Sequence, residues 1–270
     1  MWRRLLLKWQ RRNWQTMSRI EQMLRVAAVA PLAFAREFLG FFPDEAQARV
    51  LEMAPQFREI VLNCCRQWGK STLVAVLLVH RMLTEPGALV LVAAPGARQS
   101  GQLVDKVKRF LDVLGIKYGR YGKNDNSALL PNGSAIVSLP AEGRKIRCFS
   151  AVSVLVIDEA AWVPDEVYMA LLPTLATTNG DLIVLGTPWE KRGMFYRMMT
   201  EDCEGRLRYT GPVTECKRIS EAFLTKERQR GDAYYRREFL CEFLDSGKYL
   251  IDERLVREAM KTKEEAWHWI

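Results

Sequence analysis

The chain has 270 residues, 49% hydrophobic and 27% charged, which suits one large domain with a small appendage. A net charge of +8 and a pI near 9.2 favour an acidic partner such as nucleic acid. Six scattered cysteines without a Cys-x-x-Cys pair, and two histidines (His80 and His268), argue against structural zinc and a disulfide-stapled secreted fold; no apolar run approaches a signal-peptide core or membrane span, so a soluble chain in a reducing interior is expected.

Residues 1–25 hold seven Lys/Arg against the single acid Glu21, six of the eight net charges. This Arg-, Trp- and Leu-rich opening reads either as an amphipathic helix docking on DNA or a partner, or as a solvated basic helix. Glu59–Cys65 (EIVLNCC) reads as a buried strand, and Lys70–Leu83 as a helix packed on a sheet. Ala88–Ala94 is a second apolar strand, and Gln99–Leu114 a helix with Leu103, Val107, Phe110, Leu111 and Leu114 on one face. Ser127–Leu130 and Ser134–Leu139 alternate around Pro131-Asn132-Gly133, a hairpin signal. Val152–Ile157 is a strand ending at Asp158-Glu159, followed by a helix over Asp165–Leu175 and a strand over Asp181–Leu185 that ends at Gly186-Thr187-Pro188. Beyond lie a helix at Gly193–Thr200, a short strand at Arg206–Tyr209 and two helices between Ser220 and Phe243. Four apolar strands alternating with helices predict an α/β fold with a mostly parallel sheet covered on both faces, whose ligands bind at the carboxyl ends of the strands.

Three motifs fall at those ends. Asn63–Thr72 (NCCRQWGKST) closes on Gly-Lys-Ser-Thr, the tail of a phosphate-binding loop, yet Cys64 stands where the pattern places its first glycine. A strand turning into a helix aims N–H groups and the helix dipole at one point. Gly69 would let the backbone approach a phosphate, Lys70 would reach its oxygens, and Ser71 would ligate Mg²⁺, with Thr72 beside it. Asp158 would hold that metal and Glu159 would orient an attacking water as general base. Thr187 would sense the γ-phosphate or the water. Each motif alone has an ordinary reading: a helix cap, solvated acids, a strand-to-turn Gly-Thr-Pro. Their order and placement together favour a P-loop ATPase.

The ladder resembles the ATPase domain of the large terminase subunit, the motor that packages DNA into tailed-phage heads. The resemblance rests on Arg66, Gln67, Gly69, Lys70 and Ser71 in the loop, on Asp158-Glu159-Ala160, and on the coupling motif Gly186-Thr187-Pro188. Softer matches are Ala94-Pro95 with Arg98-Gln99-Ser100, and Ile146–Ala151, where Cys148 departs from the family's frequent Arg-Gly. It spans residues 40–245 and implies an ASCE-type P-loop NTPase. Its domains would be a basic N-terminal helical segment (1–35), an ATPase core (36–212), a small helical C-terminal lid or linker subdomain (213–246) and the start of a linker (247–270). A following nuclease domain is usual in the family. With about 25 residues left after Tyr234–Ser246, the chain reads as an ATPase domain alone; Asp245, Asp252 and Glu253 could not act without a core.

The resemblance also implies roles. Arg66 would touch the γ-phosphate, and Gln47 would read adenine or else be a plain helix-surface residue. Gln67, Trp68, Gly69, Lys70, Ser71 and Thr72 would line the ATP·Mg²⁺ site. A neighbour's Arg147 would act in trans, with Arg144 and Lys145 as rivals, or else be a surface arginine paired locally. Implied partners are double-stranded DNA, the portal protein, the small terminase subunit and further copies in a ring, in the host cytoplasm. A different DNA translocase or helicase-like ATPase, and a nucleotide-switched DNA-binding module, are the competing readings.

Overall fold

The computed structural model describes residues 29–140 and 149–245. Two helices come first, α1 (Pro31–Glu37) and α2 (Glu45–Met53). Helix α2 starts with a reciprocal cap: the Asp44 carboxylate accepts from the Gln47 N–H at 2.9 Å, and Gln47 Oε1 accepts from the Asp44 N–H at 3.2 Å. The chain then lays down β1 (Glu59–Cys64), α3 (Lys70–Thr84), β2 (Leu89–Ala94), α4 (Ala97–Val113), β3 (Gly119–Tyr121), β4 (Asn124–Leu129) and β5 (Ala135–Pro140). After the second described segment begins come β6 (Val154–Asp158), α5 (Asp165–Leu171), β7 (Asp181–Gly186), α6 (Gly193–Thr200), β8 (Arg206–Gly211), α7 (Glu221–Arg228) and α8 (Asp232–Glu238).

The eight strands form one sheet in the order β3-β4-β5-β2-β6-β7-β1-β8. From β5 to β8 every neighbouring pair is parallel; β4 runs against both β3 and β5. One strand, β7, separates β1, which feeds the phosphate loop, from β6, which ends in Asp158. That is the additional-strand arrangement of an ASCE-type P-loop fold.

Strand periodicity builds two cores from the same residues. Leu62, Cys64, Val90, Val92, Val154, Val156, Ile183 and Leu185 face one side with α1, α2, α3 and α4. Val61, Leu91, Ala93, Leu155, Ile157, Leu182 and Val184 face the other with α5 and α6. Burial on both faces is why these strands read as unbroken apolar runs. Leu224 of α7 and Tyr235 of α8, with Phe239 just beyond, join the first core, so the C-terminal helices pack on the body of the domain.

Three expectations are corrected. Among the described residues the sheet has eight strands, and β8, expected only as a short strand in a less regular region, pairs with β1 over its whole length, Glu59↔Arg206 to Cys64↔Gly211. The helix expected over Asp165–Leu175 ends at Leu171 and tightens into a 3₁₀ turn over Leu172–Leu175, where Pro173 can donate no helical hydrogen bond. Strand β3 carries no strong periodicity and is not expected from the sequence, and helix α1 runs two residues past the helical segment expected over 1–35. The basic opening of the chain, Arg144, Lys145, Arg147, Cys148, Asp252 and Glu253 lie outside the described residues.

Candidate nucleotide site

The loop from Cys65 to Gly69 is anchored from several directions. The Cys65 N–H donates to the Gly211 carbonyl of β8 at 3.0 Å, and the Arg66 N–H to the Glu238 carbonyl of α8 at 3.1 Å. The Trp68 carbonyl accepts from Gln47 Nε2 at 2.8 Å and from the Arg218 guanidinium. The left-handed positions are Gln67 (φ 62°) and Gly69 (φ 93°). Gly69 is required twice over: its backbone is left-handed, and a Cβ there would sit 2.6 Å from Gln47 Nε2. Cys64 explains itself. It is the last residue of β1, outside the positive-φ set and fully buried, so no glycine is needed there. Burial pushes its thiol up, which keeps it neutral, and it packs as a small apolar group.

Helix α3 begins at Lys70, and the N–H groups of Lys70 and Ser71 have no acceptor among the described residues. Lys70 Nζ donates to Thr187 Oγ1 at 3.3 Å and lies 3.6 Å from Glu159 Oε1. Thr187 Oγ1 in turn donates to the Cys64 carbonyl at 3.1 Å. One ammonium thus joins the ends of β6 and β7 to the start of α3. Asp158 is 6% exposed and accepts the Glu159 N–H at 2.8 Å. Burial, then the charge of Glu159, pushes its carboxyl up to about 6, against the pull of Lys70 and Lys106. Glu159 is left-handed (φ 51°, ψ 45°) and opens the 3₁₀ turn Ala160–Trp162.

The expected constellation of Lys70, Ser71, Asp158, Glu159 and Thr187 therefore converges. Ser71 and Thr72 sit half-buried in the first turn of α3, and Gln67 is exposed at the loop's tip. Trp68 is a correction: its indole is fully buried against Tyr209, ring centroids 5.7 Å apart, and its backbone N–H donates to the Cys65 carbonyl, so neither faces a ligand. Gln47 is 1% exposed and no helix-surface residue; its amide oxygen serves the α2 cap and its nitrogen holds the Trp68 carbonyl of the loop. Arg66 is bonded to Glu238 of α8, which raises its pKa. Arg147 lies outside the described residues.

Three contributors escaped sequence reasoning. Arg218 bonds the Trp68 carbonyl and lies 3.3 Å from Asp44 Oδ2, and Glu238 holds Arg66. Lys106, on α4, feels the charges of Asp158 and Lys70, and burial lowers its pKa. None stands in a motif; only the packing of α4 on β2, the neighbour of β6, could have flagged Lys106. A cleft of about 610 Å³ opens beside the loop, lined by Arg66, Gln67, Arg218, Phe223, Tyr234 and Phe239 among others.

The family model described as "Terminase large subunit, T4likevirus-type, N-terminal" matches residues 61–256. Among solved structures, the chain is similar to the large terminase ATPase domain of Thermus phage P74-26, with 21% identity, 80% of this chain and 100% of that chain covered, and a TM-score of 0.65. A large terminase from a thermophilic bacteriophage, solved in complex with ADP, gives 14% identity, 74% and 53% coverage and a TM-score of 0.65. The HK97 bacteriophage large terminase gives 15%, 86% and 50%, and 0.60. The chain spans about half the length of these last two proteins. At these identities the likeness establishes the fold, and the family match carries the assignment. The chain belongs to the terminase large subunit family, T4likevirus-type, and matches its N-terminal domain.

Proposed function

We propose that this site hydrolyses ATP with Mg²⁺ and that the turnover drives double-stranded DNA into a procapsid. The carrying observation is the meeting of Lys70, Thr187 and Glu159 around one ammonium beside the buried Asp158, all at the carboxyl ends of parallel strands. ATP lies against the start of α3, where the free N–H groups and Lys70 neutralise its phosphates. Glu159 leaves Lys70 when a phosphate takes its place, and then orients water for in-line attack. Thr187 follows the charge on Lys70 through their hydrogen bond. Arg66 exchanges Glu238 for the γ-phosphate, a swap that moves α8.

The residues fit a magnesium ion. A hydroxyl on Ser71 and a single buried carboxylate on Asp158, held above the usual carboxylate range, suit a hard cation that keeps most of its waters. When bound, Mg²⁺ would supply charge neutralisation at the phosphate oxygens. Residues 36–212 act as the motor core and 213–246 as a lid, with 247–270 leading into a linker. Copies of the chain assemble as a ring on the portal protein in the host cytoplasm, with the small terminase subunit. Arg147 of one copy completes the site of its neighbour. Grip on DNA phosphates is sequence-independent and weakens steeply with salt.

The test is Glu159→Gln. The variant should bind an ATP analogue as tightly as the wild type and release phosphate at least about 10³-fold more slowly. Single-turnover hydrolysis at the wild-type rate would remove Glu159 from the role of base.

A further inference from the structure

Beside the carboxylates stands an aromatic stack that the motifs do not explain. Trp162 closes the 3₁₀ turn after Glu159, its backbone N–H donating to the Glu159 carbonyl at 2.9 Å. Trp189 follows Thr187 by two residues. The two indoles lie 4.6 Å apart between centroids, with planes inclined by 44°. The Arg237 guanidinium lies over the Trp189 ring at 4.1 Å from its centroid. Arg237 belongs to α8, and its neighbour Glu238 holds Arg66 of the phosphate loop through both its side chain and its carbonyl. The Trp189 carbonyl accepts the Leu244 N–H at 3.3 Å, which ties the same segment to the chain beyond α8.

A stack made for burial alone would be hidden, yet Trp162 is 52% exposed. Its contacts instead run between the segment carrying Glu159, the segment carrying Thr187, and α8. Glu159 needs such support. A left-handed glutamate is strained and persists only where its surroundings hold it. Its N–H is held by Asp158 and its carbonyl by the Trp162 N–H, so the anchor at the far end of this short turn is the Trp162 ring. Aromatic and cation–π contacts supply geometry as well as area.

We propose that Trp162 and Trp189, clamped by Arg237, are positioning residues that hold Glu159 in its reactive orientation and couple it to α8 and so to Arg66. Release of Arg66 from Glu238 shifts the turn bearing Arg237, and the stack passes that shift to Glu159. Base and phosphate loop thereby become competent together. The inference rests on Glu159 as the general base.

Steady-state phosphate release by the full chain tests it. Trp162→Ala should lower kcat about tenfold and leave the ATP KM within about twofold, because only orientation is lost. Trp162→Phe should restore most of the rate. Arg237→Ala should lower kcat about threefold, and combined with Trp162→Ala it should add nothing further, the signature of two groups acting in one chain. A kcat within twofold of wild type in Trp162→Ala, or full additivity with Arg237→Ala, would overturn the proposal. Should Trp162→Ala fail to fold, Arg237→Ala decides, an unchanged kcat refuting the clamp. The two readings separate cleanly: a Glu159→Gln variant that still turns over sinks the base assignment, whereas an inactive Glu159→Gln beside a fully active Trp162→Ala sinks only the stack.

Discussion

Asp158→Asn should make this protein more stable at neutral pH while destroying its turnover. The carboxyl is nearly fully buried and its pKa is pushed from the ordinary 3.8 to about 6. The folded state therefore holds the proton more tightly than the unfolded chain does. At about 1.4 kcal/mol per tenfold change in affinity, ionised Asp158 costs the fold about 3 kcal/mol. That penalty is absent below about pH 4, grows as the pH rises toward 6 and is complete above it. Asparagine keeps an oxygen for the Glu159 N–H, which Asp158 Oδ1 accepts at 2.8 Å, and carries no charge. Urea unfolding of both proteins in steps from pH 4 to pH 8 should show a difference near zero at the acid end. By pH 8 the variant should lead by about 2–3 kcal/mol. Carboxylates that do not interact with Asp158 cancel in the difference. A gap that does not change with pH, or a variant that is less stable at pH 8, would refute the claim that Asp158 is held at the expense of the fold.

Gly69→Ala places a Cβ 2.6 Å from Gln47 Nε2 on a left-handed backbone, and chemical unfolding should show a loss of about 2–3 kcal/mol, partly recovered by adding Gln47→Ala. Gly211→Ala drives a Cβ to 2.5 Å from the buried Trp68 indole nitrogen; a loss of about 1–3 kcal/mol should appear in thermal melts, and no loss would mean that the indole can move. Thr187→Val removes the hydroxyl joining the Cys64 carbonyl to Lys70. It should cost about 1–2 kcal/mol of stability and lower kcat more than it raises the ATP KM, read from phosphate-release kinetics.

Local chemistry made much of this molecule legible. Strands flanked by helices announce themselves when both faces are buried, so β1, β2, β6 and β7 stood out as apolar runs. Their carboxyl ends place Lys70, Asp158-Glu159 and Thr187 on one rim. The tolerance for Cys64 was not readable, because it depends on the left-handed turn falling at Gln67 and Gly69 instead. Trp68 was misassigned for a related reason. A large ring within a phosphate loop has no periodic pattern to say which way it points, and β8, whose full pairing with β1 was not foreseen, supplies the wall it packs on.

Read alone, the residues give the succession of the central strands and helices and bring Lys70, Asp158, Glu159 and Thr187 to one rim. Those properties depend on neighbours a few residues apart, where side-chain period and turn chemistry act. How the rim is held is a matter of long-range packing: Gln47 and Arg218 on the Trp68 carbonyl, Glu238 on Arg66, and Arg237 over Trp189 beside Trp162. These contacts join residues from 21 to 172 positions apart. No local pattern encodes such pairings, because each exists only after the sheet has brought its partners together.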